Sequence, residues 1–151
     1  MFVKKSFVIL ALLALTGAPA FAQKKPAAKA PAKKAVSGIS AATLLQGKSI
    51  YTQYCLTCHQ ADGLGVDGMN PPLAKTDYVL GDKTRLIGVL VNGLKGVEVN
   101  GEEYHGVMPS QSYLTDQQMA DVLTYVRNSF GNKASAVTVS EVKAVRAANK
   151  K

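Results

Sequence analysis

"CLTCH", residues 55–59, is the stretch on which the reading of this chain turns. It contains Cys55 and Cys58, the two cysteines of the sequence, with His59 directly behind them. Residues three apart lie on one face of a helix, so both thiols and the imidazole are presented within a single turn. Neither cysteine has a distant partner in the chain, and the motif must be explained where it stands.

The start of the chain indicates the compartment. Lys4 and Lys5 precede an apolar run, "SFVILALLAL", which ends at Thr16, Gly17 and Pro19, and "AFA" at 20–22 supplies small residues. This is the order of a secretory signal peptide, and it predicts cleavage before Gln23. A retained anchor fits less well, because the run is short of the roughly 20 residues a span needs and contains Gly and Pro. Residues 1–22 are read as a signal peptide, and the remainder as periplasmic or otherwise exported and soluble, in an oxidising compartment. "QKKPAAKAPAKKAVSG" at 23–38 is Lys, Ala and Pro in low complexity. Such a stretch cannot bury enough apolar surface to fold, so residues 23–39 are read as a disordered linker.

Residues 40–132 are read as the folded domain, and 133–151 as a basic tail with a short helix near 140–149. Ser40 is positioned to cap a helix bearing Leu44, Leu45, Ile50 and Tyr51 and running toward Cys55. "GLGVDGMNPP" at 63–72 must be loop. Asp82 is positioned to cap a helix with Leu86, Ile87, Leu90 and Val91 on one side, stopped near Asn92-Gly93. "VEVNGEEY" alternates around Asn100-Gly101, a two-residue hairpin signal. Thr115 and Gln118 form a capping box, followed by Met119, Val122, Leu123, Val126 and Phe130 at helical spacing up to Gly131. No internal repeat and no βαβ alternation is found, so the class is small and mainly α. Phe130 is the one phenylalanine beyond residue 22, and tryptophan is absent. A domain of about ninety residues is already marginal in the surface it can bury. Either this core is weak, or something other than protein fills part of it.

Four explanations compete for the thiols. A disulfide between Cys55 and Cys58 would close a very small loop and stabilise little. A redox dithiol of thioredoxin type expects a βαβ setting. Zinc would need four ligands, and the domain would have to supply His59 and His105 beside the two cysteines. The fourth is covalent haem attachment, for which Cys-x-x-Cys-His is the signature: each thiol adds to a vinyl group of one porphyrin and the histidine reaches the iron. Export and the thin protein core favour the haem.

With "CLTCH", "NPPLA" at 70–74, "GVMPS" at 106–110 and the helix "DVLTYVRNSF", the chain resembles a class I, monohaem cytochrome c over residues 40–132. The resemblance implies a small fold whose first and last helices cross around one covalently bound haem c, with a short hairpin before the axial methionine loop. Gly47 and Tyr51 on the first helix, and Val122 and Tyr125 on the last, match the crossing positions. The covalent anchors are then Cys55 and Cys58, and His59 is one axial ligand to the iron. For the second, Met119 falls on an apolar helix face and Met69 in the glycine-rich loop. Met108 before Pro109 matches the family's Met-Pro, and His105, three residues earlier, is the rival. The backbone carbonyl of Pro72 is expected to accept the proton on the other nitrogen of His59, and Leu73, Leu86 and Leu90 to line the haem.

Six-coordinate His/Met iron has a raised reduction potential and no open position for substrate, which implies an electron-transfer protein and not an enzyme. The expected role is a monomeric single-electron carrier between a reductase or dehydrogenase and an oxidase or other acceptor. The alternative is a dedicated cytochrome c subunit of a periplasmic oxidoreductase. The formal net charge of +8 is segregated. Lys24, Lys25, Lys29, Lys33 and Lys34 lie in the linker, and Lys133, Lys143, Arg146, Lys150 and Lys151 in the trailing segment, whereas residues 37–132 hold nine acidic against six basic residues. A nucleic-acid binder would carry its basic patch on the fold. Basic tails at both ends instead suit solubility, or transient contact with acidic partners and an anionic membrane surface.

Overall fold

A computed structural model describes residues 38–149 of the chain. The signal peptide expected at 1–22, and all but the last two residues of the linker expected at 23–39, lie outside the described residues. Six helices and one hairpin follow in order: α1 Ala41–Tyr54, α2 Leu56–His59, α3 Asp77–Leu80, α4 Lys83–Asn92, β1 Leu94–Val99, β2 Glu102–Met108, α5 Asp116–Val126 and α6 Val139–Ala148. The fold is mainly helical, as expected.

The local signals act where the sequence puts them. Ser40 Oγ accepts the Thr43 N–H at 3.0 Å and opens α1. Asp82 Oδ1 accepts the Arg85 N–H at 2.6 Å and opens α4, which Gly93 ends at φ 79°. Thr115 and Gln118 make both halves of the capping box on α5. Asn100 and Gly101 take φ of 54° and 87° between the paired residues Val99 and Glu102, the left-handed pair that a tight hairpin requires. A bulge between Lys95 and Val97 then shifts the register, so that Leu94 pairs with Met108 at the base of the ribbon. Met108, expected in a loop, is therefore the last residue of β2.

The closest packing is the crossing of α1 over α5. Gly47 makes it possible: a Cβ there would sit 2.2 Å from the Asp121 carbonyl oxygen and 2.5 Å from Tyr125 Cβ. Below the crossing, the Tyr51 ring lies 5.6 Å from that of Tyr125 and 5.2 Å from that of Phe130, and its hydroxyl donates to the Gln60 carbonyl at 2.6 Å. Leu45, expected on the packed side of α1, faces solvent. Gly47→Ala should cost about 3 kcal/mol, because the obstructing atom is backbone and the helices must separate. The check is thermal unfolding of the holoprotein, where the midpoint should fall by about 10 °C; an unchanged midpoint would show that the crossing can open freely.

Three departures from the sequence reading concern the C-terminal third. The α5 helix ends at Val126 rather than Phe130. Asn128 N donates to Tyr125 O and Ser129 N to Val126 O, the i to i−3 pattern that tightens a helix end, and Phe130 turns at φ 57° to set its ring against Tyr51 and Tyr125. Second, Arg127 is buried, although nothing in its sequence position suggests it. Its guanidinium donates to the carbonyls of Val79 at 2.5 Å and Ser135 at 2.9 Å, tying the end of α5 to α3 and to the segment beyond; burial pushes its pKa down.

Third, the fold does not stop at Asn132. Asn132 is itself buried, donating to Leu73 O at 2.9 Å and Val126 O at 2.8 Å and accepting from Lys75 N at 2.8 Å. Val137, Val142 and Val145 join the hydrophobic core. Thr138 and Glu141 form a capping box for α6, which packs on α4 and α5, so residues 133–149 are part of the domain and not a solvated tail.

Glu141 also pairs with Lys83 at 2.5 Å across α4 and α6. Burial pushes its carboxyl upward, but the hydrogen bonds from Lys83 and Thr138 outweigh this and hold its pKa below the ordinary carboxylate value. A folded-state pKa below the unfolded one contributes stability above the unfolded pKa, about 4.3 for Glu, and loses it as pH falls through the folded value. Acid should therefore loosen α6. Hydrogen exchange at Val142 and Val145 should accelerate below that range, and Lys83→Ala should flatten the dependence.

Candidate haem crevice

α1 reaches its last turn at Tyr54, and Cys55 stands between two helices with φ −116° and ψ −31°. The short α2 then carries Cys58 and His59 and is ended by Gln60 at φ 61°. Cys58 N and His59 N both donate to the Cys55 carbonyl, at 3.2 and 3.0 Å, so the motif forms one closed turn. Cys55 is half-buried and Cys58 exposed, and no disulfide joins them. Burial, with a smaller contribution from Cys58, pushes the Cys55 thiol up to about 11.

His59 is buried, and its Nδ1 lies 3.2 Å from the Pro71 carbonyl oxygen. Burial pulls its pKa down, against the opposing effect of that hydrogen bond. The ring is thereby held neutral with the proton on Nδ1 directed at the carbonyl, which leaves the Nε2 lone pair for a metal. The accepting carbonyl is that of Pro71, not of Pro72 as the sequence reading expected. Leu73 N donates to Gly63 O at 2.7 Å. In a trans peptide the Pro72 carbonyl must point the opposite way from that N–H, and the preceding carbonyl is the one left facing the imidazole.

The turn opens onto a crevice of two adjoining cavities. The inner one spans about 760 Å3, part of it open to solvent, and is walled by Leu73, Val79, Leu86, Leu90, Leu123 and Val126 among others. The outer one is bounded by Tyr54, Cys58, Met69 and the hairpin residues Val97, Tyr104 and Val107. Cys55, His59, Pro71, Leu94, Met108 and Gln111 line both. The expected Leu73, Leu86 and Leu90 are thus in the wall, and Met108 enters the same space as His59 from a different element.

The rival ligands are placed less favourably. Met119 is fully buried in the core on α5. His105 is exposed on β2, where its N–H donates to Gly68 O at 3.1 Å. Met69 lies at the outer rim, 57 % exposed. Among the described residues no group of three or more His, Cys, Asp or Glu side chains converges on a common point, so the four-ligand zinc arrangement is not assembled. Gln111 was missed at the sequence level. It is buried between the two cavities, with its N–H on the Leu90 carbonyl at 2.7 Å and its Nε2 on the Pro109 carbonyl at 3.0 Å.

The crevice is walled largely by apolar side chains, the surroundings a porphyrin requires. Beside it stand two thiols one turn apart, an imidazole with one nitrogen free and a soft thioether, the donor set that suits haem iron. This defines a haem-carrying electron-transfer protein. The cytochrome c family model matches residues 44–130, and the chain belongs to that family, whose members carry covalently attached haem c. It is 40 % identical over 111 residues to cytochrome c-552 of Thermus thermophilus, covering 67 % of this chain and 84 % of that protein. It is also 36 % identical over 103 residues to the cytochrome c subunit of the quinone alcohol dehydrogenase of Gluconobacter oxydans, covering 66 % of this chain and 22 % of that one. To the gluconate 2-dehydrogenase cytochrome c subunit of Pantoea cypripedii it is 36 % identical over 104 residues, covering 66 % and 24 %. Its function is electron transfer. Among the described residues no helix is long and apolar enough to cross a membrane.

Proposed function

We propose that Cys55 and Cys58 anchor one haem c through thioether bonds, that His59 Nε2 and Met108 Sδ are its axial ligands, and that the protein is an exported single-electron carrier. The observation that carries this reading is the convergence of Cys55, His59 and Met108 on one apolar crevice, with the Pro71 carbonyl fixing the tautomer of His59. The bound haem supplies a one-electron ferric–ferrous couple. The chain's own groups do the rest. His59 and Met108 would hold the iron and leave no position on it for substrate. Leucine and valine walls exclude water. Held on α2 and β2, the two ligands would move little between oxidation states, which would keep electron exchange fast.

The reading as a dedicated subunit of a dehydrogenase complex is supported by the similarity to dehydrogenase cytochrome subunits, although the chain spans under a quarter of their length. Purification from native source at low dilution separates the two. A free carrier elutes alone at the mass of one chain beginning at Gln23, and a subunit elutes with a dehydrogenase. A reduced-minus-oxidised spectrum without a haem c signature, or haem lost on a denaturing gel, would overturn both.

A further inference from the structure

The segment Pro109–Thr115 follows Met108 directly and leads into α5, and it is pinned from two sides. From α4, the Leu90 carbonyl accepts Gln111 N at 2.7 Å and the Val91 carbonyl accepts Ser110 Oγ at 2.6 Å. From α6, one side chain does the corresponding work. The Arg146 guanidinium donates through Nη1 to Ser112 O at 3.1 Å and through Nη2 to Leu114 O, and Nη2 also lies 3.5 Å from Met119 Sδ. Its Nε is buried 2.8 Å from Asp116 Oδ1, a charge contact without hydrogen-bond alignment. One planar fork therefore holds two carbonyls of the segment and the first turn of α5. A lysine could not reproduce that, having a single point charge. The residue belongs to a helix beyond the stretch that matches the family.

We propose that Arg146 is a positioning residue for the Met108 ligand, and that α6 serves as a brace that keeps the methionine segment closed over the crevice. The inference rests on Met108 being the axial ligand. A free segment could swing Met108 away and admit another ligand, whereas carbonyls fixed at Ser112 and Leu114 remove that freedom. Charge-assisted hydrogen bonds are among the stronger contacts available for this. The α6 helix has a separate tether in the Lys83–Glu141 pair, whose other hydrogen bonds go to Ala136 and Thr138 and not to the segment. The two tethers therefore allow the brace to be distinguished from general stability.

The test uses the ferric holoprotein and follows the sulfur-to-iron absorption band against pH, alongside helix unfolding by circular dichroism. In Arg146→Ala the band should be lost at a pH lower by about one unit or more, a tenfold shift in ligand exchange, while the haem stays attached and the helices remain folded at that pH. Arg146→Lys should recover thermal stability in part but not the band midpoint. Lys83→Ala should lower thermal stability with the band midpoint unchanged. The proposal is overturned if Arg146→Ala keeps the wild-type band midpoint, or if Lys83→Ala moves it equally. Failure of the underlying ligand assignment looks different: the band would survive in Met108→Ala.

Discussion

Cys55→Ala/Cys58→Ala protein, unable to hold its haem covalently, should show no cooperative thermal transition and little fixed helix by circular dichroism. The reason lies in where the core sits. Tyr51, Val79, Leu86, Leu90, Val122 and Leu123 are buried core residues and also wall the inner cavity. Without the haem their inner faces meet water or nothing. The contacts these side chains would make to the porphyrin are then lost, and a total stability of about 5–15 kcal/mol leaves little to offset that loss. The α1–α5 crossing, the Arg127 ties and α6 do not fill that space. A haem-free double mutant with native helix content and a sharp melting transition would show that the protein walls close on themselves.

Met108→Ala should leave the haem attached and the fold intact but open one side of the iron. The thioether favours the ferrous state, so its removal should lower the reduction potential, on the order of 0.1 V out of the ~0.8 V range that axial ligands span. Small external ligands such as cyanide should then bind rapidly, and the ferric sulfur-to-iron band should vanish. Met69→Ala, at the exposed rim, should leave potential and band unchanged. Loss of the band in Met69→Ala with its survival in Met108→Ala would transfer the assignment to Met69. The buried position of Met119 and the exposed one of His105 make neither a ready replacement.

Much of the candidate site is legible in the sequence because its chemistry is local. Cys55, Cys58 and His59 fall within one turn, so their joint presentation follows from helix geometry alone. Met108 was identified by its Met-Pro neighbour and by resemblance, and its placement at the base of β2, in register with Leu94, explains how a residue 49 positions beyond His59 reaches the same crevice. Gln111 left no signal, because a buried glutamine looks like any loop residue until Leu90 and Pro109 are known to face it.

The sequence by itself determined the attachment turn, the helix starts at Ser40, Asp82 and Thr115, and the Asn100-Gly101 hairpin. Each depends on atoms within about four residues, so capping hydrogen bonds and positive φ are written into the residue types. Tertiary structure alone decided the rest. That Pro71 and not Pro72 faces His59 depends on the Leu73 to Gly63 hydrogen bond. Phe130 leaves the helical path because its ring packs against Tyr51, whose place is fixed by α1. Arg127 reaches Val79 across 48 residues and Arg146 reaches Ser112 across 34. A charged side chain read along the sequence looks solvated, and only the fold brings it to backbone carbonyls that make its burial favourable.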